Sequence, residues 1–193
     1  MTQTHATLWT IVGLTAAAIF VWNANRRAAM NAVAKDLKIP ERLWTYDAAD
    51  IEDFAKAAQL HQVERRGLLE FYVNAILRQS DVAYAVALSA LTAFIWFEIA
   101  YSPSVWTWLT WLAWPAAAMA IIYGVADITE DVKLAAILAR PTIIDPAEAI
   151  AANMLTRVKM MTLGLSLVGL VIFGLTQILQ WGFARKPVAQ ASE

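Results

Sequence analysis

The sequence has no cysteine, two histidines and few charged residues. Without cysteine the chain can form no disulfide, no thiolate-ligated zinc site and no thiolate nucleophile. Charged residues make up 16% of the 193 residues and the formal net charge is −1, so there is no electrostatic attraction to nucleic acid. Apolar residues make up 60%, where a soluble domain has roughly half. The composition therefore excludes an ordinary soluble enzyme, a disordered tail and a nucleic-acid-binding protein.

The apolar residues are concentrated in four segments long enough to cross a bilayer. A helix needs about 20 residues to span the hydrocarbon core, and lipid cannot satisfy exposed backbone amides. The sequence predicts an all-α fold, an integral membrane four-helix transmembrane bundle with amphipathic cytoplasmic helices, as one domain over residues 1–193. The predicted spans are about 7–24, 82–101, 104–126 and 160–181, with cytoplasmic loops 25–81 and 127–159 and a C-terminal tail 182–193.

The positions of lysine and arginine predict the orientation of these spans. Nine lie between the first two spans and four between the last two, so 13 of the 15 (nine plus four) are on one side. Cytoplasmic loops are enriched in these residues. The first segment has Arg26 and Arg27 after it and no basic residue before it, the reverse of a secretory signal. We expect a retained multi-pass protein with both termini on the periplasmic or exterior side.

Both loops carry helix signals. In the first loop, Asp47 or Asp50 can cap an amphipathic helix, Gly67 is a plausible break, and the chain then leads directly into the second span. In the second loop, Asp145 is a candidate N-cap and Pro146 a candidate first helical residue. Nothing afterwards breaks the pattern, so one helix can run from Pro146 through the fourth span. The predicted apolar stripe of the first-loop helix is Ile51, Phe54 and Ala58.

Small and aromatic residues indicate how the spans pack. After Pro115 in the third span, small residues recur every four positions, which permits close approach of another helix of the bundle or of an external one. That row is Ala116, Ala120 and Gly124. Five tryptophans fall near the predicted outer ends, where indole rings anchor helices in the headgroup region: Trp9, Trp96, Trp106, Trp108 and Trp181.

Polar groups recur at the predicted cytoplasmic ends of three spans. Charges so close to hydrocarbon usually pair with one another, and the topology brings acids from two helices and a lysine from a third to similar depth. Three acids, at positions i, i+3 and i+4, share one helical face. The candidate cluster comprises Asp81, Asp127, Glu130, Thr156 and Lys159, with Asp131 and Arg157 beside it.

Two interpretations of this cluster remain open. It is either an ion-pair network that ties three helices together, or a site for a lipid headgroup, a cation or a partner's basic residue. The sequence offers no nucleophile with an activating base and no phosphate-binding glycine loop. The histidines, His5 and His61, lie outside the spans, which excludes a bis-histidine haem. We therefore predict no catalytic residues, no metal site, no cofactor and no nucleotide, and an enzyme is the less favoured possibility.

The same polar positions resemble a broad family of bacterial four-span integral membrane proteins with no assigned function. Its pattern is a Tyr, an amphipathic helix, a Gly break, a Tyr and an Asp entering a span, an Asp-x-x-Glu pair and a Thr-x-x-Lys. The resemblance covers about residues 46–174, with Asp131 in place of the family's Asn, and it implies the fold, a bacterial inner membrane and a polar cluster. The matching residues are Tyr46, Gly67, Tyr72, Asp81, Asp127, Glu130, Thr156 and Lys159.

Three functions are compatible with the sequence. The leading hypothesis is a non-catalytic accessory, scaffold or assembly subunit that packs against other transmembrane proteins, with the lipid bilayer as its surroundings. The alternative is a lipid-headgroup-binding protein or a lipid-acting enzyme that uses the polar cluster at the cytoplasmic face. A weaker third possibility is a small transporter with Glu98 as its ion-coupled group.

Overall fold

The computed structural model describes residues 3–102, 107–140 and 144–184, with side chains described over 7–102, 107–140 and 144–178. The helices are α1 (Gln3–Val33), α2 (Ala48–Ala58), α3 (Leu68–Phe71), α4 (Val82–Ala100), α5 (Thr107–Leu138) and α6 (Pro146–Ala184). A 3₁₀ turn covers Pro40–Arg42, a π-helix covers Tyr72–Asp81, and a hairpin pairs β1 (Gln62–Val63) with β2 (Arg66–Gly67).

Four helical segments are long and apolar enough to cross a membrane. They cover Thr7–Val33, Leu68–Ala100, Thr107–Leu138 and Pro146–Ile178. The essentially all-α fold predicted from the sequence is confirmed, and the chain is a multi-pass membrane protein. The start of the third predicted span, residues 104–106, and the tail 185–193 lie outside the described residues.

The helix α5 is the centre of the bundle. It packs along both α4 and α6, while α1 lies against α4 and the π-helix. Two ring pairs join α1 to α4: Trp9 with Phe94, at 4.6 Å between centroids, and Phe20 with Tyr84, at 5.1 Å. Aromatic pairs of this kind add about 0.5–1.5 kcal/mol beyond the apolar area they bury.

The two long helices at the C-terminal end continue well into the predicted second loop. The helix α5 extends to Leu138, beyond the predicted end of the third span at about residue 126. The helix α6 begins at Pro146, as the sequence predicts. Asp145 caps α6, because its carboxylate accepts a hydrogen bond of 2.8 Å from the backbone N–H of Ala147. This extension is what carries polar side chains of both helices beyond the apolar part of the bundle.

Residues 34–67, which we call the cap, form a packed layer on this end of the bundle. The predicted amphipathic helix is α2, and Asp47 and Asp50 make its capping box. Its stripe of Ile51, Phe54 and Ala58 is buried in a hydrophobic core shared with the ends of α1, α5 and α6. The cap is therefore anchored on the bundle by its own core.

Gly67, which the sequence marks as a break, lies in the hairpin. The two central residues of its turn, Glu64 and Arg65, have φ angles of 51° and 66°. A two-residue turn with φ > 0 at both positions normally carries Asn-Gly, because a β-carbon is unfavourable there. The hairpin is thus held in a strained backbone conformation.

Replacing Arg65 with glycine is expected to stabilise the protein. The left-handed conformation destabilises the folded state by about 1–2 kcal/mol for an L-residue. Glycine removes this strain, but its greater conformational freedom in the unfolded state offsets about 0.5–1 kcal/mol of the gain. Arg65→Gly should raise the free energy of unfolding by about 0.5–1 kcal/mol, measured by thermal unfolding in detergent. The control is Arg66→Gly at the exposed neighbour in β2, which should be destabilising. Equal destabilisation by both changes would contradict the strain argument.

The predicted row of small residues packs inside the bundle. A β-carbon at Gly124 would lie 2.7 Å from the Ser89 side chain of α4. The Ser89 hydroxyl donates a 2.7 Å hydrogen bond to the carbonyl of Ala120. The carbonyl of Ala116 accepts one of 3.3 Å from Ser166 of α6. The row therefore packs against α4 on one side of α5 and α6 on the other.

The prediction that Trp96 is an interface anchor is wrong. Its side chain is buried between α4 and α6, where the indole N–H donates a 2.9 Å hydrogen bond to Ser166 Oγ. A β-carbon at Gly169 would lie 2.9 Å from the indole ring. The glycine thus makes room for the indole, which fills the space between the two helices. Trp106 and the side chain of Trp181 lie outside the described residues.

Candidate functional site: two buried ionic clusters

The predicted polar residues form two neighbouring clusters where the cap meets the bundle. Four of the five candidates, Asp127, Glu130, Thr156 and Lys159, lie together in the first, which we call the lysine cluster. The fifth, Asp81, belongs to the second, which we call the arginine cluster and which contains Arg27, Glu41, Asp81 and Asp131. Both clusters include residues that the sequence did not indicate.

The lysine cluster joins α5 to α6. Lys159 Nζ lies 2.7 Å from Asp127 Oδ1 and 2.6 Å from Glu130 Oε2. The spacing of three residues on α5 places both acids on the face toward α6, one turn apart. Lys159 is 9% exposed and Glu130 is fully buried, so this is a desolvated ion pair of the kind that is costly to break.

Hydroxyl groups complete the lysine cluster. The Tyr123 hydroxyl donates a 2.9 Å hydrogen bond to Asp127 Oδ2, and the Tyr46 hydroxyl donates one of 3.2 Å to Glu130 Oε1. Thr156 donates to the same Glu130 oxygen. Burial and the negative charge of Glu130 raise the pKa of Tyr46 far above its usual range, so the phenol keeps its proton and remains a donor. Tyr46 thereby attaches the cap to both long helices.

The arginine cluster joins α1, the cap and the π-helix. Arg27 donates two hydrogen bonds to the carboxylate of Asp81, of 3.2 Å from Nε and 2.8 Å from Nη2. Its Nη1 donates a third, of 2.6 Å, to Glu41 Oε1. This bidentate arrangement is the strong form of an arginine–carboxylate pair. The Arg27 side chain is 31% exposed, whereas those of Glu41 and Asp81 are each 4% exposed.

The π-helix sets the direction of Asp81. Residues nine apart on an α-helix point to opposite sides, at 3.6 residues per turn. The wider π-helix has about 4.4 residues per turn, so Tyr72 and Asp81 fall on nearly the same side after two turns. Both are buried, and the charges of Asp81, Glu41 and Arg27 act on the Tyr72 hydroxyl.

Asp131 is the member of the arginine cluster whose carboxylate makes no hydrogen bond to the described residues. It is 1% exposed, and neither of its carboxylate oxygens has a hydrogen-bond partner among the described residues. The same holds for the buried hydroxyl of Tyr72. Asp131 is one helical turn from Asp127 on α5, so the two clusters are adjacent along that helix.

The sequence contained signals for some of the added residues. Tyr123 is four residues before Asp127 on one helix, a spacing that brings side chains into contact. Tyr46 and Tyr72 are in the family pattern that the chain resembles. For Glu41, which follows Pro40 in a 3₁₀ turn, the sequence shows no periodicity that would place it at the bundle.

Comparison of the chain with models of known protein families, with curated proteins and with solved structures found no match. The resemblance to the bacterial four-span family stays a prediction.

Proposed function

We propose that this chain is a non-catalytic protein of the bacterial inner membrane. In this proposal it is an accessory, scaffold or assembly subunit that packs against other transmembrane proteins in a larger complex. The basic residues support an orientation with the cap in the cytoplasm and both termini on the other side, since 13 of 15 lie in the two predicted cytoplasmic loops.

The observation that carries the proposal is the pair of glycines Gly164 and Gly174 on α6. Glycine inside a helix costs about 0.5–1 kcal/mol relative to alanine. Packing within the bundle explains the glycine at Gly169, because the Trp96 ring occupies the space that a β-carbon would take. At Gly164 and Gly174 a β-carbon would meet nothing within 4 Å among the described residues.

The surroundings of these glycines are apolar and outward-facing. Large exposed side chains flank them on the same helix, including Leu165, Val171 and Leu175. In a membrane a surface glycine lets another transmembrane helix approach closely. Packing against lipid tails does not require a glycine. The outer surface of α6 is therefore suited to a partner helix.

The polar side chains give less support to the alternative, lipid-headgroup binding or lipid chemistry. Asp127, Glu130, Thr156 and Lys159 are 9% exposed or less, and they bond to one another. A headgroup would have to displace these contacts in order to reach them. The alternative would regain weight if the purified chain retained one lipid class and Asp127→Asn abolished that retention without loss of folded protein.

The test is co-purification of full-length protein from the native membrane in mild detergent, followed by native gel and mass spectrometry. Wild type should migrate with a larger complex at fixed stoichiometry. Gly164→Leu should lower the recovered partner by about tenfold or more, because a leucine side chain there would separate two close helices. The chain's own fold should tolerate this change, since the space at Gly164 is open.

The control is Val132→Leu, which alters an exposed apolar residue of α5 and leaves the glycine-containing surface of α6 unchanged. It should leave the partner in place. A stably monomeric wild-type protein, whose deletion alters no membrane complex, would overturn the proposal. Equal recovery of partner by wild type and Gly164→Leu would remove α6 as the contact surface.

A further inference from the structure

Three carboxylates from distant parts of the chain converge at the arginine cluster. They belong to Glu41 in the 3₁₀ turn, Asp81 at the end of the π-helix and Asp131 in α5. One oxygen from each lies within 4.8 Å of the others. Asp81 is 3% exposed and Asp131 is 1% exposed, and the Glu41 side chain is 4% exposed. We call these three residues the carboxylate triad.

The charge of the triad is incompletely balanced. Arg27 bonds to Glu41 and Asp81, so three carboxylates share one guanidinium and the local charge is −2 when all are ionised. Lys159 of the neighbouring lysine cluster is bonded to Asp127 and Glu130. A buried charge without compensation is strongly unfavourable. The triad therefore requires either a further positive group or the uptake of a proton.

A second observation points to the place of that group. Asp131 directs its carboxylate at the other two acids, yet both of its oxygens lack a hydrogen-bond partner within the described part of the chain. The fully buried Tyr72 hydroxyl is likewise unpartnered, and the charges of all three triad acids act on it. Buried polar atoms are nearly always satisfied, so a buried carboxylate that has two unsatisfied oxygens and lies against two other carboxylates indicates a missing ligand.

We infer that the carboxylate triad binds a hard divalent cation of the Mg²⁺, Mn²⁺ or Ca²⁺ class. These ions take oxygen ligands, at about 2.0–2.6 Å, and opposite ligands are then about 4–5 Å apart, which accommodates the spacing of the triad. The absence of histidine and cysteine from the group disfavours zinc and softer metals. A charge of +2 balances the local −2. This inference replaces the sequence-based expectation of no metal site, and it is independent of the proposed function.

Arg27 stays compatible with such an ion. The Arg27 side chain, which binds Asp81 and Glu41, is 31% exposed, whereas Asp131 is 1% exposed. Glu41 can face Arg27 with Oε1 and the cation with Oε2. Both oxygens of Asp81 accept hydrogen bonds from Arg27, but each carboxylate oxygen has a second lone pair that can face the cation. Water can complete the coordination, as is usual for Mg²⁺.

The experiment is a titration of full-length, detergent-purified protein with Mn²⁺ after removal of metals by EDTA. Free Mn²⁺ is followed by its electron paramagnetic resonance signal, and unfolding temperature is measured in parallel. We expect one tight Mn²⁺ per chain, competition by Mg²⁺ or Ca²⁺, and a higher unfolding temperature with the ion, because a ligand of the folded state stabilises it.

Asp131→Asn should weaken Mn²⁺ binding by at least about tenfold, since even indirect partners of a metal commonly contribute that much. The control is Asp53→Asn, an exposed acid of α2, which should bind as wild type does. Glu41→Gln provides a second ligand variant if Asp131→Asn does not accumulate. Wild-type protein that binds no Mn²⁺ at millimolar concentration, or triad variants that bind it as tightly as wild type, would overturn the inference.

Discussion

Replacing Lys159 with methionine is expected to cause the largest loss of stability in the protein. The change keeps the apolar stem but removes the ammonium between Asp127 and Glu130, which lie 2.7 Å and 2.6 Å away. Both acids would then be buried without a cation. Removing one partner of a buried pair costs about 3–5 kcal/mol. We expect Lys159→Met to be recovered from membranes at a much lower level and to unfold at lower denaturant concentration.

Two further variants separate charge from packing. Lys133→Met replaces an exposed lysine of α5 and should leave stability within about 0.5 kcal/mol of wild type. The triple variant Lys159→Met, Asp127→Asn, Glu130→Gln removes the unpaired charges and should recover much of the loss. A folded and stable Lys159→Met protein that has lost its biological activity would instead identify the lysine cluster as a chemical site.

The lysine cluster was largely predictable because it depends on local periodicity. Asp127 and Glu130 share a helical face at i and i+3, Thr156 and Lys159 do the same, and the two helices are joined so that these turns meet at one depth. Such an inference needs only helical geometry and a topology. Tyr46 was indicated by resemblance alone, because its contact with Glu130 spans 84 positions in sequence.

The arginine cluster was not predictable in the same way. The sequence predicts that Asp81 lies in one cluster with Lys159, but its hydrogen-bonded partner is Arg27. That contact depends on how the extension of α1 packs against the π-helix, and no pattern in the sequence encodes it. The π-helix also changes the side of the helix on which Asp81 lies. An α-helix over residues 72–81 would direct Tyr72 and Asp81 to opposite sides. The π-helix therefore contributes to the placement of Asp81 beside Glu41 and Asp131.

Replacing Arg27 with glutamine should destabilise the protein in a manner that depends on divalent cations. The change removes the guanidinium from Glu41 and Asp81 and leaves three buried carboxylates with a local charge of −3. Because Arg27 is about one-third exposed, we expect a loss of about 2–3 kcal/mol in EDTA, below the full cost of a buried pair. The measurement is chemical unfolding in detergent with and without Ca²⁺ or Mn²⁺.

The cation dependence distinguishes a structural arginine from one that shares its acids with an ion. If the triad binds a divalent cation, its affinity should rise in Arg27→Gln, because a positive neighbour has been removed, and added cation should recover a larger part of the stability than in wild type. Arg42→Gln, which loses an exposed hydrogen bond to Asn31, should show neither effect. Equal loss for Arg27→Gln with and without cation would mean that no divalent cation binds at the triad. Asp131 would then have to be buried as a neutral acid.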